Sequence, residues 1–122
     1  MGKIESEIKL KISLDEKQVP NKISWESSAN EQGAREVASM FLSLWDSKDK
    51  NTFNINLWTP KMTVEELNLH VFQTFMTMAE SYNNATKDAA LYHLMKDLGL
   101  AFGEKAKVID ISKNGDTEKK EI

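Results

Sequence analysis

The sequence predicts an α+β fold: two β-hairpins forming a four-stranded antiparallel sheet, with two C-terminal helices packed on one face. Three patterns predict it. Apolar and polar residues alternate over 4–14 and 22–26, two apolar runs flank six polar residues within 39–58, and helical spacing takes over after Thr63.

The first hairpin is the plainest. Ile4, Ser6, Ile8, Leu10, Ile12 and Leu14 alternate with Glu5, Glu7, Lys9, Lys11 and Ser13, which is the period of a strand with one wet face. Asp-Glu-Lys-Gln-Val-Pro then leads into Lys22-Ile23-Ser24-Trp25-Glu26, which alternates the same way. Setting Ile12 opposite Ile23 places Leu10 against Trp25 and Lys9 against Glu26, so apolar meets apolar and opposite charges meet. Residues 27–38 predict a short helix or an irregular connection. Ser28 with Glu31 fits a capping box and Ala34, Val37 and Ala38 fit one stripe, but Gly33 weakens the helix.

Residues 39–45 can be read as the end of a helix or as a strand. A helix groups Phe41, Leu44 and Trp45 with Val37 but leaves Met40 and Leu42 towards solvent. A hairpin closed by Asp-Ser-Lys-Asp-Lys-Asn sets Leu44 against Phe53, Leu42 against Ile55 and Met40 against Leu57. The hairpin accounts for more residues and is the reading adopted. Those six apolar residues then face the helices as core, and Phe41, Trp45 and Trp58 lie on the opposite face with Ser43, Asn54 and Asn56.

Thr59-Pro60 ends the last strand, because proline cannot donate to a ladder. Thr63 and Glu66 form a capping box, and Met62 and Leu67 occupy the positions of a hydrophobic staple. Val64, Leu67, Val71, Phe75, Met78 and Tyr82 follow helical spacing, widened by Phe72 and Ala79. Asn83-Asn84 breaks the run, and Thr86 caps a second helix with the apolar face Ala90, Leu91, Leu94, Met95, Leu98 and Phe102. Gly99 and Gly103 cost about 1 kcal/mol each inside a helix, so either the helix frays there or its backbone packs close to something. Residues 1–107 read as one globular α+β domain. Residues 108–122 read as a C-terminal extension, mostly disordered, that begins with the apolar island Val108-Ile109-Asp110-Ile111.

Composition narrows the function classes. The formal net charge of -3 leaves no excess of Lys and Arg for phosphates, which argues against nucleic acid. The absence of cysteine removes disulfides, thiol catalysis and zinc-thiolate sites. No apolar run reaches the ~20 residues of a membrane span, and Met-Gly-Lys-Ile-Glu-Ser-Glu has charges where a signal peptide needs an apolar core. The expectation is a cytoplasmic protein without membrane insertion.

No catalytic, cofactor-binding or metal-ligating residue stands out. His70 and His93 lie in predicted helices outside any H-E-x-x-H pattern. Asp15, Glu16, Asp46 and Asp49 sit in turns, where aspartate is favoured for bonding the local backbone. Met76, Met78 and Met95 read as core fillers. The candidate partner surface is Phe41, Trp45 and Trp58, three large aromatics on a wet sheet face. The competing reading is that residues 27–38 or the Val108–Ile111 island folds over them.

A family resemblance rests on Ser6-Glu7-Ile8-Lys9 with Leu14-Asp15-Glu16 and Val19-Pro20, on Ile23-Ser24-Trp25, and on Leu44-Trp45-Asp46-Ser47-Lys48 followed by Asn51-Thr52, Leu57-Trp58-Thr59 and Lys61-Met62. Phe72-Gln73-Thr74, Ser81-Tyr82 and Met95-Lys96-Asp97 continue it. Over residues 4–107 the chain resembles the gliding motility-associated GldC proteins of the Bacteroidetes. The resemblance implies a small cytoplasmic component associated with surface gliding and with the cell-envelope machinery behind it. It implies protein partners and transfers no catalytic residues. The function expected is therefore that of a non-enzymatic accessory protein acting through protein–protein interaction. The alternative is a small-molecule binding domain or cryptic enzyme with a pocket between sheet and helices. A third reading makes the outer sheet face a homodimer interface.

Overall fold

A computed structural model describes residues 4–30 and 32–109, and the chain divides into two compact units, Met1–Met62 and Thr63–Ile122. The first unit is all β. Strands β1 (Ile8–Leu14), β2 (Pro20–Ser27) and β3 (Arg35–Val37) form an antiparallel sheet in the order β1-β2-β3. Strands β4 (Ser39–Asp46) and β5 (Asn51–Trp58) form a separate antiparallel pair. The expected single four-stranded sheet is therefore two sheets. β3 takes the second edge of β2 by pairing Val37 with Ile23, Glu36 with Ser24 and Arg35 with Trp25, so the next hairpin does not pair there.

Both predicted registers hold. Ile12 faces Ile23, Leu10 faces Trp25 and Lys9 faces Glu26 in the first hairpin. Leu44 faces Phe53, Leu42 faces Ile55 and Met40 faces Leu57 in the second, so residues 39–45 are strand and not helix. Each hairpin is closed in the same manner. One Oδ1 of Asp15 accepts the N–H groups of Lys17 and Val19 at 2.8 and 3.0 Å. One Oδ1 of Asp46 accepts those of Lys48 and Asp49 at 2.9 and 3.2 Å.

Among the described residues, 28–30 and 32–34 form no helix. Ser28 Oγ accepts the N–H of Glu7 at 2.9 Å instead of capping, while Glu31, the other half of the expected capping box, lies outside the described residues. Asn30 Oδ1 accepts from Gln32 N–H, and Gly33 follows at φ 79°, a conformation open to glycine at little cost.

Burial in this unit differs from expectation. Ile23, at the centre of the first sheet, is 0% exposed, and Thr59 is almost as deep. The six residues assigned to the core of the second hairpin do share one face. Yet Leu44, Phe53 and Ile55 are exposed there, and Met40, Leu42 and Leu57 are half-buried. A two-stranded ribbon has two faces and no strands of its own to cover either.

The second unit is an antiparallel helical hairpin, α1 (Val64–Thr86) and α2 (Ala89–Lys105). The capping box at its start is complete: Thr63 Oγ1 accepts the N–H of Glu66, and the Glu66 carboxylate accepts the N–H of Thr63. α1 runs through Asn83-Asn84, because asparagine in a helix costs less than about 0.7 kcal/mol. It stops where Lys87 turns left-handed at φ 59°. Asp88, not Thr86, caps α2, its carboxylate accepting from Leu91 N–H at 3.1 Å.

The seam between these helices runs through the glycines. A Cβ at Gly99 would stand 2.7 Å from Met76 Sδ, and one at Gly103 would stand 2.7 Å from the Phe72 ring. Phe72 and Ala79 are buried, and the Phe75 and Phe102 rings meet edge-on at 5.4 Å. Leu91, Leu94 and Leu98, expected on a packed face, are exposed. After α2, Lys107 takes a left-handed conformation, its N–H bonds Glu104 C=O, and Val108 N–H bonds Gly103 C=O. That is a Schellman stop with lysine where glycine is usual. Ile109 of the apolar island folds back beside Gly103 and is buried. Ile111 and the tail expected to be disordered lie outside the described residues.

Candidate functional site

Strand parity places the aromatics. In β4, Phe41 and Trp45 stand on the same side as Ser39 and Ser43. In β5, Trp58 faces Ser39, Asn56 faces Phe41, and Thr52 faces Trp45. All three aromatics therefore share one face with Ser39, Ser43, Thr52, Asn54 and Asn56, and that face carries no charged residue. Phe41 is 36% exposed, Trp45 64% and Trp58 57%.

They do not form one cluster. Trp58 lies diagonally across from Phe41, within reach of an aromatic side chain. Trp45 is at the turn end of the hairpin, opposite Thr52, so about 20 Å of strand separates it from Trp58. The face is a strip with an aromatic at each end and amides and hydroxyls between. On the reverse side Leu44, Phe53 and Ile55 are also open, which the alternation alone does not reveal.

The groups that do chemistry elsewhere are dispersed. His70 is half-buried, and burial holds its imidazole below the ordinary value, which favours the neutral ring at pH 7. His93 is exposed, its ring 5.2 Å from that of Tyr92. Tyr92 donates its hydroxyl to Glu80 at 2.6 Å, a bond that pushes the phenol above its usual range. Among the described residues no three His, Asp or Glu side chains stand together as a metal site.

The wet face of the first sheet holds an open hollow lined by Lys11, Ser13, Lys22, Ser24, Arg35 and Glu36. Lys61 Nζ bonds the Glu36 carboxylate at 3.0 Å, and this hydrogen bond and charge, with Lys22 nearby, keep Glu36 below the usual carboxylate range. Sequence reasoning passed over this cluster. Its signal was the period-two placement of Lys11, Lys22 and Ser24 on one face, although Glu36 joins them only through the pairing of β3.

Residues 20–108, well over half of the chain, match the family described as gliding motility-associated protein GldC-like. The chain belongs to the GldC-like family. The GldC-like stretch opens with the first residue of β2 and closes at Val108, whose N–H completes the cap of α2. It therefore contains the whole second hairpin and both helices, and β1 precedes it. Neither the curated proteins nor the solved structures hold a match to this chain. No helix among the described residues of this GldC-like protein is long and apolar enough to cross a membrane.

Proposed function

We propose that this GldC-like chain is a non-catalytic accessory protein of the gliding motility machinery, acting in the cytoplasm by binding a protein component of that machinery or of the cell envelope behind it. The contact surface is the sheet face bearing Phe41, Trp45 and Trp58. The observation that carries this reading is the exposure of two tryptophans on a face without charge. Aromatic enrichment with depletion of charge marks the centre of protein interfaces. Family membership supports gliding motility as the process to which such a contact would belong.

The test is a Trp45→Ala/Trp58→Ala double variant. Both side chains are exposed, so far-UV circular dichroism and melting temperature should stay near those of the parent chain. In a gliding strain that depends on the protein, the variant should fail to restore colony spreading. It should also lose the component retrieved by the parent chain in affinity capture. Full spreading together with undiminished capture by a folded double variant removes this face as the contact surface.

A further inference from the structure

The β4-β5 sheet leaves β5 with no described strand on its outer side. One hydrogen bond fixes which of its backbone groups are left unpaired. Thr59 N–H donates to Ala38 C=O at 2.9 Å, and these two residues continue the β4–β5 register, so they are a hydrogen-bonded pair. Such pairs alternate along an antiparallel ladder, which makes Met40/Leu57, Leu42/Ile55 and Leu44/Phe53 hydrogen-bonded pairs too. The N–H and C=O groups of Phe53, Ile55 and Leu57 therefore point into the hairpin. Those of Thr52, Asn54, Asn56 and Trp58 point out of the open edge.

This edge lacks the usual protection. β1, another long edge, carries Lys9 and Lys11, charges of the kind that natural sheets use to prevent strand addition. β5 has no charge from Asn51 to Trp58, and residues 52–56 are exposed throughout. Its pattern is also symmetric about Ile55: asparagine on either side at 54 and 56, then large apolar residues at 53 and 57. A strand of this kind matches itself when turned through a two-fold axis.

We propose that β5 pairs antiparallel with β5 of a second copy of this chain about a two-fold axis at Ile55, joining two hairpins into one four-stranded sheet. Asn54 then lies opposite Asn56 of the second copy, and Thr52 opposite Trp58, each pair exchanging both backbone hydrogen bonds. These are the residues whose groups point outward. Ile55 meets its own counterpart in a pair without hydrogen bonds, where side chains approach closest, and Phe53 meets Leu57. A slip of one residue would set Asn54 against Ile55 and run the amide face of one copy into the apolar face of the other. The same operation on β4 opposes Phe41 to Ser43 and Trp45 to Ser39, and Ser39 and Phe41 each have a further interaction. β5 is the edge that fits.

Two double variants test both the contact and its register. Asn54→Lys/Asn56→Lys puts like charges opposite each other twice across the axis, whereas Asn54→Lys/Asn56→Glu puts Lys opposite Glu twice. In sedimentation velocity over a concentration series at low salt, the full parent chain should form a reversible dimer. The Lys/Lys variant should dimerise at least about tenfold more weakly, and the Lys/Glu variant should stay close to the parent. Circular dichroism should be the same for all three. A parent chain that stays monomeric at every concentration overturns the proposal and leaves the edge to a different occupant, such as an extended peptide. Two variants that behave alike also overturn it, because the contact then does not run through Asn54 and Asn56.

Discussion

The β1–β2 hairpin alternates its apolar residues with Lys9, Lys11, Lys22 and Glu26, whereas β4–β5 alternates its own with serine, asparagine, threonine and aromatics. Both pair in the register their alternation dictates, and both are closed by an aspartate that accepts two backbone N–H groups. They differ in what the polar half is made of. Charged side chains resist desolvation, so the first hairpin keeps a wet face and a guarded edge. Amides, hydroxyls and indoles can be buried against a partner once their hydrogen bonds are met, so the second hairpin is open to association on its faces and along its edge. Alternation sets the register. The chemistry of the polar positions decides whether a hairpin stays alone.

That contrast can be strained in three ways, of decreasing effect. The largest concerns depth. Ile23→Ala empties the wholly buried site of the first sheet and should cost about 2–5 kcal/mol. Ile55→Ala, at a position 46% exposed, should cost about 1 kcal/mol or less when measured at low protein concentration. Urea titrations of the two variants decide the matter. Equal losses would mean that the second hairpin is as deeply packed as the first.

The closing aspartates come next, and here the hairpins should agree. Asp15→Ala and Asp46→Ala each remove an acceptor shared by two turn N–H groups, and each should cost about 1 kcal/mol in the same titration. A cost at Asp46 several times that at Asp15 would show that the second turn does more than end a ribbon. The smallest effect is a gain. Lys50 sits at φ 52°, where a side chain is disfavoured, so Lys50→Gly should raise the melting temperature slightly, by about 0.5 kcal/mol in stability. A loss instead would mean that the Lys50 side chain contributes contacts of its own.

Much of this fold is legible in the sequence because hairpin registers depend on local patterns. Alternation yields Ile12 against Ile23 and Leu42 against Ile55, and the Thr63/Glu66 box yields the start of α1. β3 is not legible. Arg-Glu-Val has no alternation long enough to read, and it becomes a strand only because β2 offers it an edge. Its arrival occupies the edge of β2 that would otherwise face the next hairpin. In the helices, hydropathy points to Leu91, Leu94 and Leu98, yet the seam is built on Gly99 and Gly103, where the want of a side chain lets Phe72 and Met76 come close. A scale that scores apolar bulk gives such positions no weight. For the candidate site, parity places Phe41, Trp45 and Trp58 on one face, but neither their exposure nor the length of strand between Trp45 and Trp58 follows from parity.

The placement of the tryptophans has an optical consequence. Trp25, Trp45 and Trp58 all precede Met62, and the helical unit has none. Indole emission therefore originates in the β unit, whereas ellipticity at helical wavelengths is dominated by α1 and α2. Following both signals through one thermal ramp gives each unit its own melting curve. Coincident curves would mean that sheets and helices unfold as one cooperative body, and separated curves that each half of the chain has a stability of its own.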